Sequence, residues 1–137
     1  MKMKGYYFDV DGVLANFHKE KFEYKKAINR EWIANLEPFV ENVEFVRTLI
    51  LRGEKVFIIS KAASENAKLG KLDWFKKYLP ELVEENIFVI VGHGNKADYI
   101  QTEEAILFDD DMKNCRQWTK AGQAYYHLEI KGEKIIF

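Results

Sequence analysis

The chain has 137 residues, 47% of them hydrophobic and 15% aromatic, which is enough apolar mass for one domain with a real core and too much for a disordered segment. Its 21 Lys+Arg nearly balance its 22 Asp+Glu, and the net charge of −1 provides no long-range field for gathering nucleic acid or anionic lipid. The single cysteine, Cys115, has no companion for a disulfide or a zinc site, and no apolar run approaches the roughly 20 residues that span a bilayer, so a soluble protein of the reducing cytoplasm is expected.

Two prolines, dispersed glycines and the absence of repeats leave no internal boundary, and residues 1–137 read as a single domain. The opening MKMKGYYFDVDG reaches strand-like acidic sequence too soon for a signal peptide. Residues 6–10 form the first apolar run, read as a buried strand. An insert of about 22 residues follows at 16–37, helical in pattern and carrying Phe17, Phe22, Tyr24 and Trp32. Phe39, Val43, Val46, Leu49 and Ile50 then recur at helical spacing, with Gly53 as a left-handed stop. Residues 56–59 are the second strand. Ser64 is a helix N-cap, and the helix after it is expected to bury Leu69, Leu72, Phe75 and Leu79 before Pro80 interrupts it. Residues 87–91 and 105–108 are the third and fourth strands, and a last helix runs over about 112–121 to Gly122, with Asp111 as its cap. The tail, after Ala124–Leu128, has Lys131-Gly132-Glu133 between two strand-like pieces and reads as a hairpin.

Strands alternating with helices predict a doubly wound, Rossmann-like α/β fold: a parallel sheet sandwiched by helices, with a short helical cap insert after strand 1. Such folds place ligands beyond the C-terminal strand ends, near the point where strand order reverses. The polar residues of this chain collect there. Asp9 and Asp11 close the first strand, Ser60 the second, Gly92-His93-Gly94-Asn95-Lys96 the third and Asp109-Asp110-Asp111 the fourth. Four of these carboxylates, Asp9, Asp11, Asp109 and Asp110, brought to one site repel one another or take up protons unless a cation is present, and an all-oxygen set suits Mg²⁺. With the cation bound, Asp9 can attack phosphorus, while Lys96 and the Ser60 hydroxyl hold the remaining phosphoryl oxygens.

These residues, in this order, resemble the haloacid dehalogenase superfamily of phosphohydrolases. Its four motifs stand here as Asp9-Val10-Asp11-Gly12-Val13, Ser60, Lys96 and Asp109-Asp110. The runs FDVDGVLANF, LEPFVENVEFVRTL, VFIIS, LDWFKKYLP and ILFDDD are most similar to the 5′(3′)-deoxyribonucleotidases, over residues 5 to about 120. The resemblance implies that Asp9 is a nucleophile forming an aspartyl-phosphate, and that Asp11 protonates the leaving alkoxide and then activates water. It also implies that Mg²⁺ binds the Asp9 carboxylate, the Asp11 carbonyl and Asp110 or Asp109. The substrate it implies is a small phosphomonoester, a nucleoside monophosphate above all. Phe17 falls where the family has a base-contacting aromatic, Trp32 is a second candidate for that wall, and Lys61 and His93 are candidate substrate contacts.

The insert is short for this family, which leaves the cleft open to a nucleic-acid end phosphate as an alternative substrate. A receiver-type phosphoacceptor domain also uses an α/β sheet, Mg²⁺, Asp and Lys. Receivers, however, place an adjacent acidic pair after the first strand and the phosphoacceptor after a later one. The order here is inverted, and Asp11 beside Asp9 favours turnover over a stored phosphoryl group. Cys115, on a helix with Trp118, reads as a buried thiol.

Overall fold

A computed structural model describes residues 3–17 and 24–137. In chain order the elements are β1 (Lys4–Phe8), α1 (Tyr24–Ala27), α2 (Arg30–Ala34), α3 (Val40–Leu51), β2 (Lys55–Ala62), α4 (Glu65–Tyr78), β3 (Ile87–Val91), β4 (Glu104–Asp109), α5 (Met112–Lys120) and β5 (Ala124–His127). One-turn helices at Glu84–Asn86 and Lys96–Tyr99 flank β3. The five strands are all parallel, in the order β3-β2-β1-β4-β5. This is the expected doubly wound α/β sandwich, and α1 and α2 are the short helical insert after the first strand. Phe22 and His18 of the insert lie outside the described residues.

Side chains alternate across a strand, and both faces of this sheet are apolar. Tyr7 packs with Phe57, Ile59, Leu107 and Trp118 of α5 on one face. Phe8, Val56, Ile58 and Phe108 pack on the other, under Val43, Val46 and Leu49 of α3 and Trp74 and Phe75 of α4. The connection from β1 leads to β2 on one side, whereas β4 lies on the other side of β1 and leads outward to β5. Strand order therefore reverses between β1 and β4, and that crevice is where a site belongs.

Two expectations are corrected. Phe75 and Leu79 are buried as expected and Leu72 is half-buried, but Leu69 is exposed, and the rest of the inner face of α4 is Ala67, Gly70, Lys71 and Trp74. Ser64 caps the helix as expected, its Oγ accepting from the Ala67 amide at 3.1 Å. The face is rotated because the insert packs on α4: a Cβ at Gly70 would lie 2.5 Å from the Arg30 carbonyl oxygen and 2.8 Å from the Ile33 Cβ, so the glycine is what admits α2. Arg30 then clamps α2 to α4 through Asp73, at 2.7 and 3.1 Å.

The tail is not a hairpin. Residues 124–127 are β5, a fifth parallel strand registered on β4, and the chain beyond returns to the β1 loop, where the Gly132 amide donates to the Gly12 carbonyl at 2.8 Å. Buried Asn42 holds this return. Its Nδ2 donates to the Val13 and Glu133 carbonyls, both at 2.9 Å, and its Oδ1 accepts from the Ile135 amide at 2.9 Å. Pairing with the open edge of β4 makes residues 124–127 part of a five-stranded sheet with packed faces, whereas an isolated two-stranded hairpin is only marginally stable in water. Among the described residues no helix is long and apolar enough to cross a membrane.

Candidate active site

Phe8 is registered on Phe108, so Asp9 emerges beside Asp109, and the Asp9 amide donates to the Phe108 carbonyl at 3.0 Å. Lys96, at the start of its one-turn helix, reaches both carboxylates: its Nζ lies 3.0 Å from Asp9 Oδ1 and 2.8 Å from Asp109 Oδ2. All three side chains are buried, Lys96 at 2% exposure and Asp109 at 0%. Burial works against the Lys96 charge, but Asp9 and Asp109 outweigh it and raise its pKa, so the ammonium persists throughout the physiological range. Asp109 is pushed up to about 7 by burial and then by the charge on Asp9, against the pull of Lys96. Asp110 is raised for the same first two reasons.

Asp109 is committed to protein donors. Its Oδ1 accepts from the Asp111 amide (2.9 Å), and its Oδ2 accepts from Asn114 Nδ2 (3.1 Å) as well as from Lys96. Asp110 carries one ion pair, to Lys131 Nζ at 3.1 Å, and its backbone carbonyl lies 3.1 Å from His127 Nε2. Asp111 does what was expected of it, capping α5 by accepting from the Lys113 amide at 2.9 Å.

Among the described residues, Asp9, Asp109 and Asp110 offer oxygens that lie within 4.8 Å of one another, so this cluster can hold a metal ion. The donors are hard carboxylate oxygens without sulfur or imidazole, which fits a hard divalent cation. Gly12 makes room for the cluster. It has φ of +82°, and a Cβ there would lie 2.3 Å from Asp110 Oδ2.

The second carboxylate of the β1 loop is held by a different lysine. Asp11 Oδ2 lies 2.9 Å from the Nζ of Lys71, which also donates to Ser60 Oγ (2.7 Å) and to the Lys61 carbonyl (2.6 Å). Ser60 is fully buried. Lys71 escaped the sequence reading because the leucines of α4 set the expected face. The signal was nonetheless present: Lys71 falls three or four residues from Ala67, Trp74 and Phe75, on the face that is buried.

A cleft of about 480 Å³ opens over this arrangement, lined by Asp9, Asp11, Lys61, Lys96, Asp110, Asn114, His127 and Lys131 among others. A smaller cavity of about 140 Å³ adjoins it, sharing Asp11 and Lys61 and walled by Phe17, Ala27, Ile33 and Ala67. Asp9, Asp11, Lys96 and Asp110 thus line one cleft, Asp109 is buried behind them on Lys96, and Ser60 lines neither cavity and is tied to Asp11 through Lys71. Phe17 lies beside it, in edge contact with Trp32 at 5.6 Å between centroids and 81° between planes. His93 is exposed in its loop and lines neither cavity. Asn114, His127 and Lys131 join the cleft without having been singled out for it. Cys115 is buried, and burial followed by the charge of Asp109 pushes its thiol up to about 12, as befits an inert side chain.

No protein-family model matches the chain, and no curated protein matches it in sequence. Its fold is shared with solved structures. The class C acid phosphatase from Bacillus anthracis, with tungstate bound, superposes with a TM-score of 0.65 at 15% identity, over 88% of this chain and 60% of that one. A second structure of that phosphatase gives a TM-score of 0.63 at 15% identity over the same shares. A chain of the Pnkp1/Rnl/Hen1 complex gives 0.65 at 12% identity, over 91% of this chain and 45% of that one. At these identities the likeness is one of fold, and the chain spans about 60% of the length of the phosphatase.

Proposed function

We propose that the chain is a Mg²⁺-dependent phosphomonoesterase that works through an aspartyl-phosphate on Asp9 and takes a nucleoside monophosphate as substrate. The observation that carries this reading is the Lys96 ammonium bridging Asp9 and Asp109 at 3.0 and 2.8 Å in the crevice where strand order reverses. A carboxylate so placed is held in a fixed orientation, as a nucleophile must be, and the lysine stays to meet the phosphoryl charge. The acid phosphatase fold and the resemblance of the four motifs support the same chemistry.

In this reading an Asp9 oxygen attacks phosphorus, the bond from phosphorus to the leaving oxygen breaks, and Asp11 supplies the proton that the leaving alkoxide takes. Asp11 then removes a proton from the water that attacks the aspartyl-phosphate, which returns Asp9 and releases inorganic phosphate. Ser60 and Lys96 hold phosphoryl oxygens. Asp9, Asp110 and the Asp11 carbonyl would hold the cation, with Asp109 fixing Lys96 in place. When bound, Mg²⁺ offsets the repulsion between the nucleophilic carboxylate and the phosphoryl oxygens.

The Phe17–Trp32 pair beside Asp11 supports a flat, aromatic leaving group such as a nucleoside. Lys61 and Lys131, on the walls of an open cleft, favour a second substrate, a phosphate at a nucleic-acid end. The test is phosphate release from nucleoside 5′- and 3′-monophosphates and end-phosphorylated oligonucleotides, with Mg²⁺ or with EDTA. Mononucleotide turnover that requires Mg²⁺ and falls at least about 1,000-fold in Asp9→Asn is expected. Full activity in Asp9→Asn overturns the mechanism, and preference for oligonucleotides overturns the substrate.

A further inference from the structure

Lys71 has no place in the four motifs, yet it is one of the most buried charges in the molecule, at 2% exposure. Its contacts use it completely. An ammonium has three hydrogens and accepts nothing, and here the three go to Asp11 Oδ2, Ser60 Oγ and the Lys61 carbonyl at 2.9, 2.7 and 2.6 Å. Two consequences follow for the neighbours. Ser60 Oγ must accept from Lys71, so its own hydrogen is committed to a different direction. Asp11 has one oxygen occupied, while the other, Oδ1, is buried and has no hydrogen-bond partner among the described residues. An orphaned buried carboxylate oxygen is costly, and proteins tolerate such atoms chiefly where function uses them.

Resting on the phosphohydrolase reading above, we propose that Lys71 is a positioning residue. It pins Asp11 by Oδ2 and so keeps Oδ1 for the leaving group, while Ser60 Oγ, accepting from the same ammonium, helps to hold Lys71 in place. Asp11 lines both the large cleft and the small apolar cavity beside it, so a modest turn of its carboxylate is enough to bring the unpartnered Oδ1 to a bound leaving group. Lys71 also ties α4 to two strand ends, so a purely structural role is the competing account. That account predicts equal losses on every substrate.

The experiment compares kcat/KM for p-nitrophenyl phosphate, whose leaving group departs without a proton, with kcat/KM for an alkyl phosphate, whose leaving group needs one. Both are measured with saturating Mg²⁺ in the wild type, Lys71→Met, Asp11→Asn and the double variant. This parameter reports the steps up to leaving-group departure, so slow hydrolysis of the intermediate does not enter. Lys71→Met is expected to lose at least about 100-fold on the alkyl ester and less than about 10-fold on the aryl ester. In the Asp11→Asn background the same substitution should leave the alkyl-to-aryl ratio unchanged, because its effect passes through Asp11. If Lys71→Met does not fold, Lys71→Arg decides. A planar guanidinium cannot serve three acceptors that converge on one tetrahedral nitrogen, so the ratio should still fall, by a smaller factor. Equal losses on both esters in a folded variant, or full additivity with Asp11→Asn, overturn the role of Lys71 alone. A wild type that hydrolyses neither ester in the presence of Mg²⁺ overturns the phosphohydrolase reading and this inference with it.

Discussion

Phe8 and Phe108 are register partners in adjacent parallel strands and stack face to face, with ring centroids 4.4 Å apart and 12° between planes. The residue after each is an aspartate. The packing that fixes these two rings also sets Asp9 against Asp109, and the sheet core thereby forces two buried carboxylates onto one lysine. Such an arrangement is under electrostatic stress, which pH and divalent cations should relieve in different ways.

Metal-free protein should lose stability as pH rises from about 4 to about 7. Burial and the charge on Asp9 push Asp109 up to about 7, so over that window the folded state binds a proton that the unfolded state has released. Each pH unit within it weakens folding by about 1.4 kcal/mol at most. The Lys96 shift does not offset the trend, because an ammonium raised from an already high value is charged in both states throughout the window. Millimolar Mg²⁺ should restore the loss near neutrality and have little effect near pH 4. Thermal melts at several pH values, with Mg²⁺ and with EDTA, check this; a metal-free melting temperature that climbs through the window contradicts it.

Lys131→Gln should tighten Mg²⁺ binding by a few-fold. The Lys131 ammonium lies 3.1 Å from Asp110 Oδ2 and competes, as a cation, for the carboxylate that the metal would use. Because the side chain is half exposed, salt screens the effect, and the difference between wild type and variant should shrink between about 0.01 and 1 M ionic strength. Isothermal titration at both ionic strengths reads the two slopes directly.

Asn42→Ala should destabilise the fold by about 2–4 kcal/mol, since it leaves the Val13 and Glu133 carbonyls and the Ile135 amide without the partner they share. The loss is local as well as global. The Gly132 amide, bonded to the Gly12 carbonyl, should exchange with solvent much faster in the variant than amides of the central strands do. Urea unfolding together with native-state hydrogen exchange measures both effects; unchanged protection at Gly132 would show that the tail is held by other contacts.

Much of the site was legible in the chain because strand ends are a one-dimensional property. A short continuous apolar run, followed by Asp, Ser or a Gly-rich loop, locates Asp9, Asp11, Ser60, Asp109 and Asp110 without knowledge of how the strands pair, and Lys96 falls at its loop's end for the same reason. The helix caps Ser64 and Asp111 were equally readable, since each hydrogen bond spans only two or three residues.

The rest was decided by contacts between residues far apart in the chain. Which face of α4 is inner depends on α2 docking at Gly70, so Leu69 faces out and Lys71 faces in, while Phe75 stays buried as the pattern predicted. Residues 124–127 joined the open edge of β4 instead of pairing locally, and that carried His127 and Lys131 to the cleft. The sequence alone determined which residue types end each strand, because local pattern and polarity suffice for that. Only the tertiary structure decided which charges meet, because a buried ion pair such as Lys71–Asp11 depends on how separate elements pack and has no local signature.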